Sequence, residues 1–303
     1  MIWRLAFTAI ITAPPYDGPW RKSLNSCWRN ASCARALTVS HGGDWNLTYP
    51  YDSDPAFSKA WADGADAIKG DFRVSADGVG VICHSSPFEI YESLNCAGQR
   101  VETMTAAAIQ HCTMALSPYT FITAASMLAL ANGKVNVMWC VKQPAADLAV
   151  AIAAIIAAGA QERVFLEVRT SELLAHAPAA PGFEQVRFLV EIGSPAEIDA
   201  MLGSGTPPAL LARCFMFEFD PGYTRWANAS NAADGGKFDV GAAVARLHAA
   251  GIRTLAATSS KLPTVRNHLD IWRSGIDVVY TYNLQHATDA RVTINTERGI
   301  APP

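Results

Sequence analysis

Two histidines, two lysines and an aspartate stand at or near the ends of short apolar runs, and they are the residues of this chain best suited to chemistry. His41 lies in SHGG (40–43), Lys69 and Asp71 in GADAIKGD (64–71), His84 ends ADGVGVICH (76–84), and Lys142 ends NVMWCVK (136–142). Imidazole exchanges protons near neutrality. A fixed ammonium stabilises negative charge as it develops. Two imidazoles beside two ammonium groups therefore suit acid–base work on an anionic substrate.

These residues need elements that bring them together. Apolar runs of strand length occur at 36–41, 66–72, 78–84, 135–141, 163–168, 187–192, 213–219, 253–258 and 277–283. They are almost unbroken, as expected of parallel strands buried on both faces. Helical patterns separate them at 54–63, 104–113, 120–132, 145–159, 195–202, 240–250 and 262–274. Thr170 and Ser194 are candidate N-caps, and Gly251 and Gly275 stand where helices should stop. Alternation along the whole chain predicts an α/β fold with a single (β/α)8 TIM-type barrel over 36–303. Arg73–Asp77 is too short for a helical crossover, so the run ending at His84 reads as a hairpin extension after strand 2. Chemistry in such a barrel lies at the C-terminal strand ends, which puts His41, Asp71 and His84 at one pocket.

The order and spacing of SHGG, GADAIKGD, ADGVGVICH, FEIYESLNCAGQRVETMT (88–105), NVMWCVK and GIDVVYTYNL (275–284) resemble the glycerophosphodiester phosphodiesterase family. The resemblance implies that His41 and His84 act as general base and general acid on a phosphodiester, with a divalent cation neutralising the phosphate. Its metal ligands come from a Glu-x-Asp pair and an acidic residue in an E-x-K run. Here Lys69 replaces the Glu, Cys140 replaces the second acidic residue, and Asp71 and Lys142 are kept. Asp71 alone is a poor cage for magnesium or calcium, which favour several hard oxygen ligands. Glu167, Glu191 and Glu218, also near strand ends, either supply a displaced ligand or pair with Lys69 and Lys142; pairing is the preferred reading.

Lys69 in place of the metal suggests cleavage of a phosphodiester by intramolecular transfer, giving a cyclic phosphate and needing no cofactor. The alternatives are a repurposed barrel for acid–base isomerisation or cyclisation of an apolar metabolite, and a non-catalytic barrel in which Lys69 only pairs with Asp71. Arg73, Trp45, Trp139, Phe217, Tyr280 and Tyr282 are candidate substrate contacts, and the apolar strand ends favour a lipid over a soluble diester. The loop at 88–100 and the segment 221–238, with Tyr223 and Trp226, are candidate specificity elements.

Composition narrows the class. Half of the 303 residues are apolar and the formal net charge is −3. There is no basic stripe for nucleic acid and no apolar run long enough for a membrane span. Residues 1–35 read as an N-terminal segment carrying a signal remnant and a loop. Among seven cysteines, Cys27 with Cys33 and Cys83 with Cys96 are spaced to pair in an oxidising compartment. With acceptor patterns at Asn30, Asn46 and Asn228, this favours secretion. Oligomeric state is not legible.

Overall fold

Runs of branched apolar residues bounded by Gly, Asp and Asn become strands, and the Ala- and Leu-rich stretches between them become helices. The computed structural model describes Cys27 and residues 33–192, 195–205, 211–219 (as backbone), 240–258 and 263–300. Its strands are β1 (Leu37–His41), β2 (Ala67–Val74), β3 (Gly80–Ile82), β4 (Ile122–Thr123), β5 (Asn136–Val141), β6 (Val164–Arg169), β7 (Arg187–Glu191), β8 (Leu211–Phe219), β9 (Leu255–Thr258) and β10 (Val278–Thr281). Its α-helices are α1 (Asp54–Ala62), α2 (Ala106–Gln110), α3 (Ala124–Ala131), α4 (Pro144–Ala157), α5 (Thr170–His176), α6 (Pro195–Leu202), α7 (Val240–Ala249), α8 (Val265–Arg273) and α9 (Leu284–Glu297).

The strands join in the order β1-β10-β9-β8-β7-β6-β5-β2-β3-β4, and β1 pairs with β2 as well. The sheet is therefore curled, an α/β arrangement of parallel strands with helices packed outside. β3 departs from the parallel set: it pairs antiparallel with β2, Phe72 opposite Ile82. The short β4, too brief to carry a periodic signal, pairs antiparallel with β3. Helix α9 lies outside the helical patterns read from the sequence, and the cap candidate Thr170 alone announced α5. Thr170 opens α5 rather than capping it, and Arg169 holds the cap position. Ser194 lies outside the described residues. Gly251 and Gly275 do take the left-handed conformation at helix ends, with φ of 75° and 94°.

Two buried aspartates hold neighbouring strands together at their N-terminal ends. Asp66 accepts from the Thr38 backbone N–H (2.8 Å), the Thr38 hydroxyl (3.2 Å) and Arg291 (2.8 Å). Asp277 repeats the device, accepting from the Thr254 N–H (2.7 Å), its hydroxyl (3.0 Å) and His248 Nε2 (2.9 Å). The buried Arg253 lies 3.3 Å from Asp277 and donates to the carbonyls of Cys27 and Cys33, both at 3.0 Å. That anchors the Cys27–Cys33 disulfide against the sheet. Most of the 1–35 segment, including Asn30, lies outside the described residues.

The other disulfide corrects an expectation. Cys96 pairs with Cys112, their Cα atoms 5.7 Å apart, and Cys83 is free. Cys83 is buried just past β3, in a second apolar cluster with Phe88, Val101, Ile109 and Phe121. The bridge staples the loop that this cluster underlies. Among the described residues, no helix is long and apolar enough to cross a membrane.

Breaking a buried ion pair leaves its partner uncompensated. Asp66→Ala is expected to lower the unfolding free energy by about 3 kcal/mol. Urea denaturation followed by circular dichroism checks this; an unchanged midpoint would show that Asp66 is not a strand clamp.

Candidate active site

Side chains alternate along a strand, so β2 sends Lys69 and Asp71 to one face and Gly70 and Phe72 to the other. Gly70 and Phe72 face the helices: a Cβ at Gly70 would lie 2.9 Å from Met127 Sδ. Lys69 and Asp71 face the interior at the C-terminal end, 2 % and 0 % exposed. The parallel register sets His41 beside Lys69, Asp71 beside Cys140, and Cys140 beside Glu167.

Asp71 is the hub. Its Oδ1 receives Lys69 Nζ in a short ion pair and Lys142 Nζ at 2.8 Å. Its Oδ2 accepts from the Tyr51 hydroxyl at 2.8 Å, and its backbone N–H donates to Asp52 at 3.1 Å. Burial alone would raise this carboxyl, but Lys69 and then Lys142 outweigh it and hold Asp71 well below the usual aspartate range. Lys69 also donates to the Tyr51 hydroxyl at 2.9 Å and lies 3.3 Å from His41 Nε2. An ammonium has three hydrogens, and these three partners account for all of them. Burial, followed by Lys69, holds His41 well below the usual histidine range.

Backbone shape makes room for Tyr51. Gly42 has φ +69°, and a Cβ there would meet the Tyr51 ring at 2.1 Å; at Gly43, φ +85°, it would meet the Ala56 backbone at 2.5 Å. The two glycines after His41 let the chain turn beneath the ring. Sequence reasoning missed Tyr51 and Asp52, which lie in an irregular loop with no periodic signal.

His41, Lys69, His84, Lys142, Tyr280 and Tyr282 line one cavity of about 350 Å³, and Cys140, Glu167, Arg169, Glu172 and Glu191 line it as well. Tyr280 and Tyr282 stack on the His41 ring, centroids 4.3 and 4.2 Å away. His84 lies at the exposed rim, where burial lowers its pKa and Asp71 partly restores it. Lys142 stays charged: burial opposes this, but Cys140 and Asp71 outweigh it. Burial raises the Cys140 thiol well above its ordinary value, with Glu167 adding to the effect.

The family model for glycerophosphoryl diester phosphodiesterases matches residues 46–164, which carry Lys69, Asp71, His84 and Lys142. Over that span the chain is similar to this family. Solved structures of similar fold include a glycerophosphoryl diester phosphodiesterase from Parabacteroides distasonis (TM-score 0.69, 17% identity, covering 90% of this chain and 92% of that one). Another is a phosphodiesterase from Oleispira antarctica in complex with the product sn-glycerol-3-phosphate (TM-score 0.63, 14% identity, 86% and 98%). A third is a glycerophosphodiester phosphodiesterase from Thermotoga maritima (TM-score 0.61, 15% identity, 84% and 98%). At these identities the likeness is one of fold. No curated protein matches the chain.

In this chain, several expected contacts fall elsewhere. Trp139 is fully buried, shares the helix-facing side with Gly70, packs on Phe72 (centroids 5.0 Å apart) and donates to Met127 Sδ at 3.4 Å. It is core, and strand alternation explains why: Cys140 beside it takes the cavity side. Trp45, 41 % exposed, packs edge-on to Tyr51 and does not line the cavity. Arg73 spends its guanidinium on the His84 carbonyl (3.0 and 2.7 Å), positioning the loop. Glu191 lies 3.7 Å from Arg169, while the ion pairs of Lys69 and Lys142 both go to Asp71. The side chains of Phe217 and Glu218, and the 221–238 segment with Tyr223, Trp226 and Asn228, lie outside the described residues.

Removing one partner of a buried pair exposes the other's desolvation penalty, whereas removing both relieves it. Lys69→Met is expected to destabilise the fold by about 3–5 kcal/mol. The double variant Lys69→Met/Asp71→Leu should lie closer to the parent than the single. Chemical denaturation of the parent, Lys69→Met, Asp71→Leu and the double variant tests this, and strict additivity would dissolve the pair as an energetic unit.

Proposed function

We propose that this protein is a divergent phosphodiesterase-like enzyme in which Lys69 stands where relatives hold a metal ligand. His41 and His84 serve as the proton-transfer pair. The observation that carries this reading is the meeting of His41, Lys69, His84 and Lys142 at one strand-end cavity, with both lysines bonded to the buried Asp71. The frame we assign is a complete (β/α)8 TIM-type barrel with the β2–β3 hairpin as its extension.

The donor set does not fit a divalent cation. Both oxygens of Asp71 are engaged, one by two ammonium groups. Among the described residues, no group of three or more His, Cys, Asp and Glu side chains could hold a metal ion. Magnesium and calcium want several oxygen ligands. In our reading the two ammoniums supply the positive charge instead.

The step balances within the substrate and two imidazoles. His41 Nε2 takes the proton of a substrate hydroxyl as that oxygen bonds to phosphorus. The bond from phosphorus to the leaving oxygen breaks, and His84 gives that oxygen a proton. The products are a cyclic phosphate and an alcohol. An arriving phosphate offers Lys69 a new acceptor and frees His41 Nε2, while its negative charge favours protonated His84. A lipid or other diester with an apolar arm is the preferred substrate, and the two disulfides accord with a secreted protein.

One observation favours a second reading, a repurposed or non-catalytic barrel: Lys69 has no hydrogen left to offer. Phosphorus magnetic resonance separates the two. In chelator, the enzyme is expected to convert lysophospholipid or glycerophosphodiester to a cyclic phosphate. A strict requirement for magnesium would overturn Lys69 as the metal's stand-in, and inactivity on every diester would support the second reading.

Metal affinity and pH supply two more tests. Lys69→Glu alone should bind magnesium weakly, with a dissociation constant of about 1 mM or more, because Lys142 still occupies Asp71; calorimetry showing tight binding would refute this. His41, with its depressed pKa, is neutral at pH 7 and gains charge only in acid. Acid loss of kcat/KM should therefore begin below the ordinary histidine range; loss starting near pH 7 would remove His41 as the base.

A further inference from the structure

The cavity has two unlike walls. On one, Lys69 and Lys142 meet the single carboxylate of Asp71, which leaves net positive charge beside His41 and His84. On the other stand Glu167, Glu172 and Glu191 around Arg169. Glu172 and Glu191 have local partners: the Arg169 backbone N–H donates to Glu172 at 3.0 Å, and the Arg169 side chain lies 3.7 Å from Glu191.

Glu167 is different. It is 5 % exposed, lines the cavity from inside β6, and its Oε2 has no hydrogen-bond partner. A buried carboxyl left unpaired is destabilising, so such a group in a cavity wall is a mark of a ligand site. Its neighbours do not supply the missing donor. Glu167 Oε2 accepts neither from its register neighbour Cys140 nor from the two lysines, which bond Asp71 instead. Burial lifts the Glu167 carboxyl to about 7 even though Lys69 and Lys142 pull it down.

We infer that Glu167 is a specificity-determining residue: its carboxyl accepts a hydrogen bond from an N–H or O–H on the alcohol arm of a phosphodiester whose phosphate lies against Lys69 and Lys142. This rests on the phosphodiester reading above and adds to it the residue that selects an alcohol arm ending in an ammonium or a hydroxyl. The opposite charges of the two walls orient such a molecule in one direction. An arm ending in a methyl would bury Glu167 with no partner, which is how a polar site rejects an apolar isostere.

The test is an isosteric series of glycerol phosphodiesters ending in 2-aminoethyl, 2-hydroxyethyl and propyl. With the parent protein, kcat/KM for the first two should exceed that for propyl by about 10–100-fold. Glu167→Leu should bring the three towards parity. Glu167→Gln should keep part of the hydroxyl preference and lose the ammonium preference, since it removes the charge but keeps an acceptor. Thermal melts establish that the variants fold, and the Gln variant carries the test if the Leu variant does not. A preference that survives both substitutions, or a parent with none, overturns the assignment. Calorimetry with the matching non-hydrolysable phosphonates separates this inference from the catalytic reading. A binding preference erased in the variants, without turnover in the parent, keeps Glu167 and removes the catalysis. Absence of binding by all three overturns both.

Discussion

A carboxylate with no exposure must be neutralised where it stands, and much of this site follows from meeting that demand at Asp71. Two ammonium groups and a phenol converge on it, and its own backbone N–H is held by Asp52. The rest of the local structure serves the convergence. Of the paired glycines after His41, Gly42 clears space for the Tyr51 ring and Gly43 for the Ala56 backbone. Tyr280 and Tyr282 fix the imidazole that lies against Lys69. In this chain that carboxylate answers to lysine.

Charge compensation also explains how the two ends of the strands differ. At the N-terminal ends, Asp66 and Asp277 each bind a threonine and a basic side chain from elements far apart in sequence, which locks adjacent strands. At the C-terminal ends the charges surround a cavity and remain open to a ligand. Barrels commonly divide stability and chemistry in this way. The Cys96–Cys112 bridge lets the long connection between β3 and α3 keep a small apolar cluster of its own beside the site.

Much of this was legible in the residues. Unbroken apolar runs marked the parallel strands because burial on both faces removes alternation, and the short link after Asp71 marked the antiparallel return. The strand-end residues His41, Lys69, Asp71 and Lys142 came together because strand ends of a curled sheet face one mouth. Residue type alone makes Trp139 a pocket candidate, but alternation along β5 gives Cys140 the cavity side and Trp139 the core. Cys83 was paired with Cys96 on spacing, but which sulfur atoms meet depends on how the loop folds over its cluster.

Sequence alone determined the class of fold and the chemistry available at the strand ends. Those properties follow from residue type and period, which act over a few neighbours. Only the tertiary structure decided how the charges are shared. Tyr51 comes from a loop, Lys142 from β5's far end and Glu167 from β6. Whether an ammonium bonds Asp71, Glu167 or neither is set by distances of a few ångströms across the cavity. Such distances depend on strand register and side-chain direction together, and no local stretch of sequence contains both.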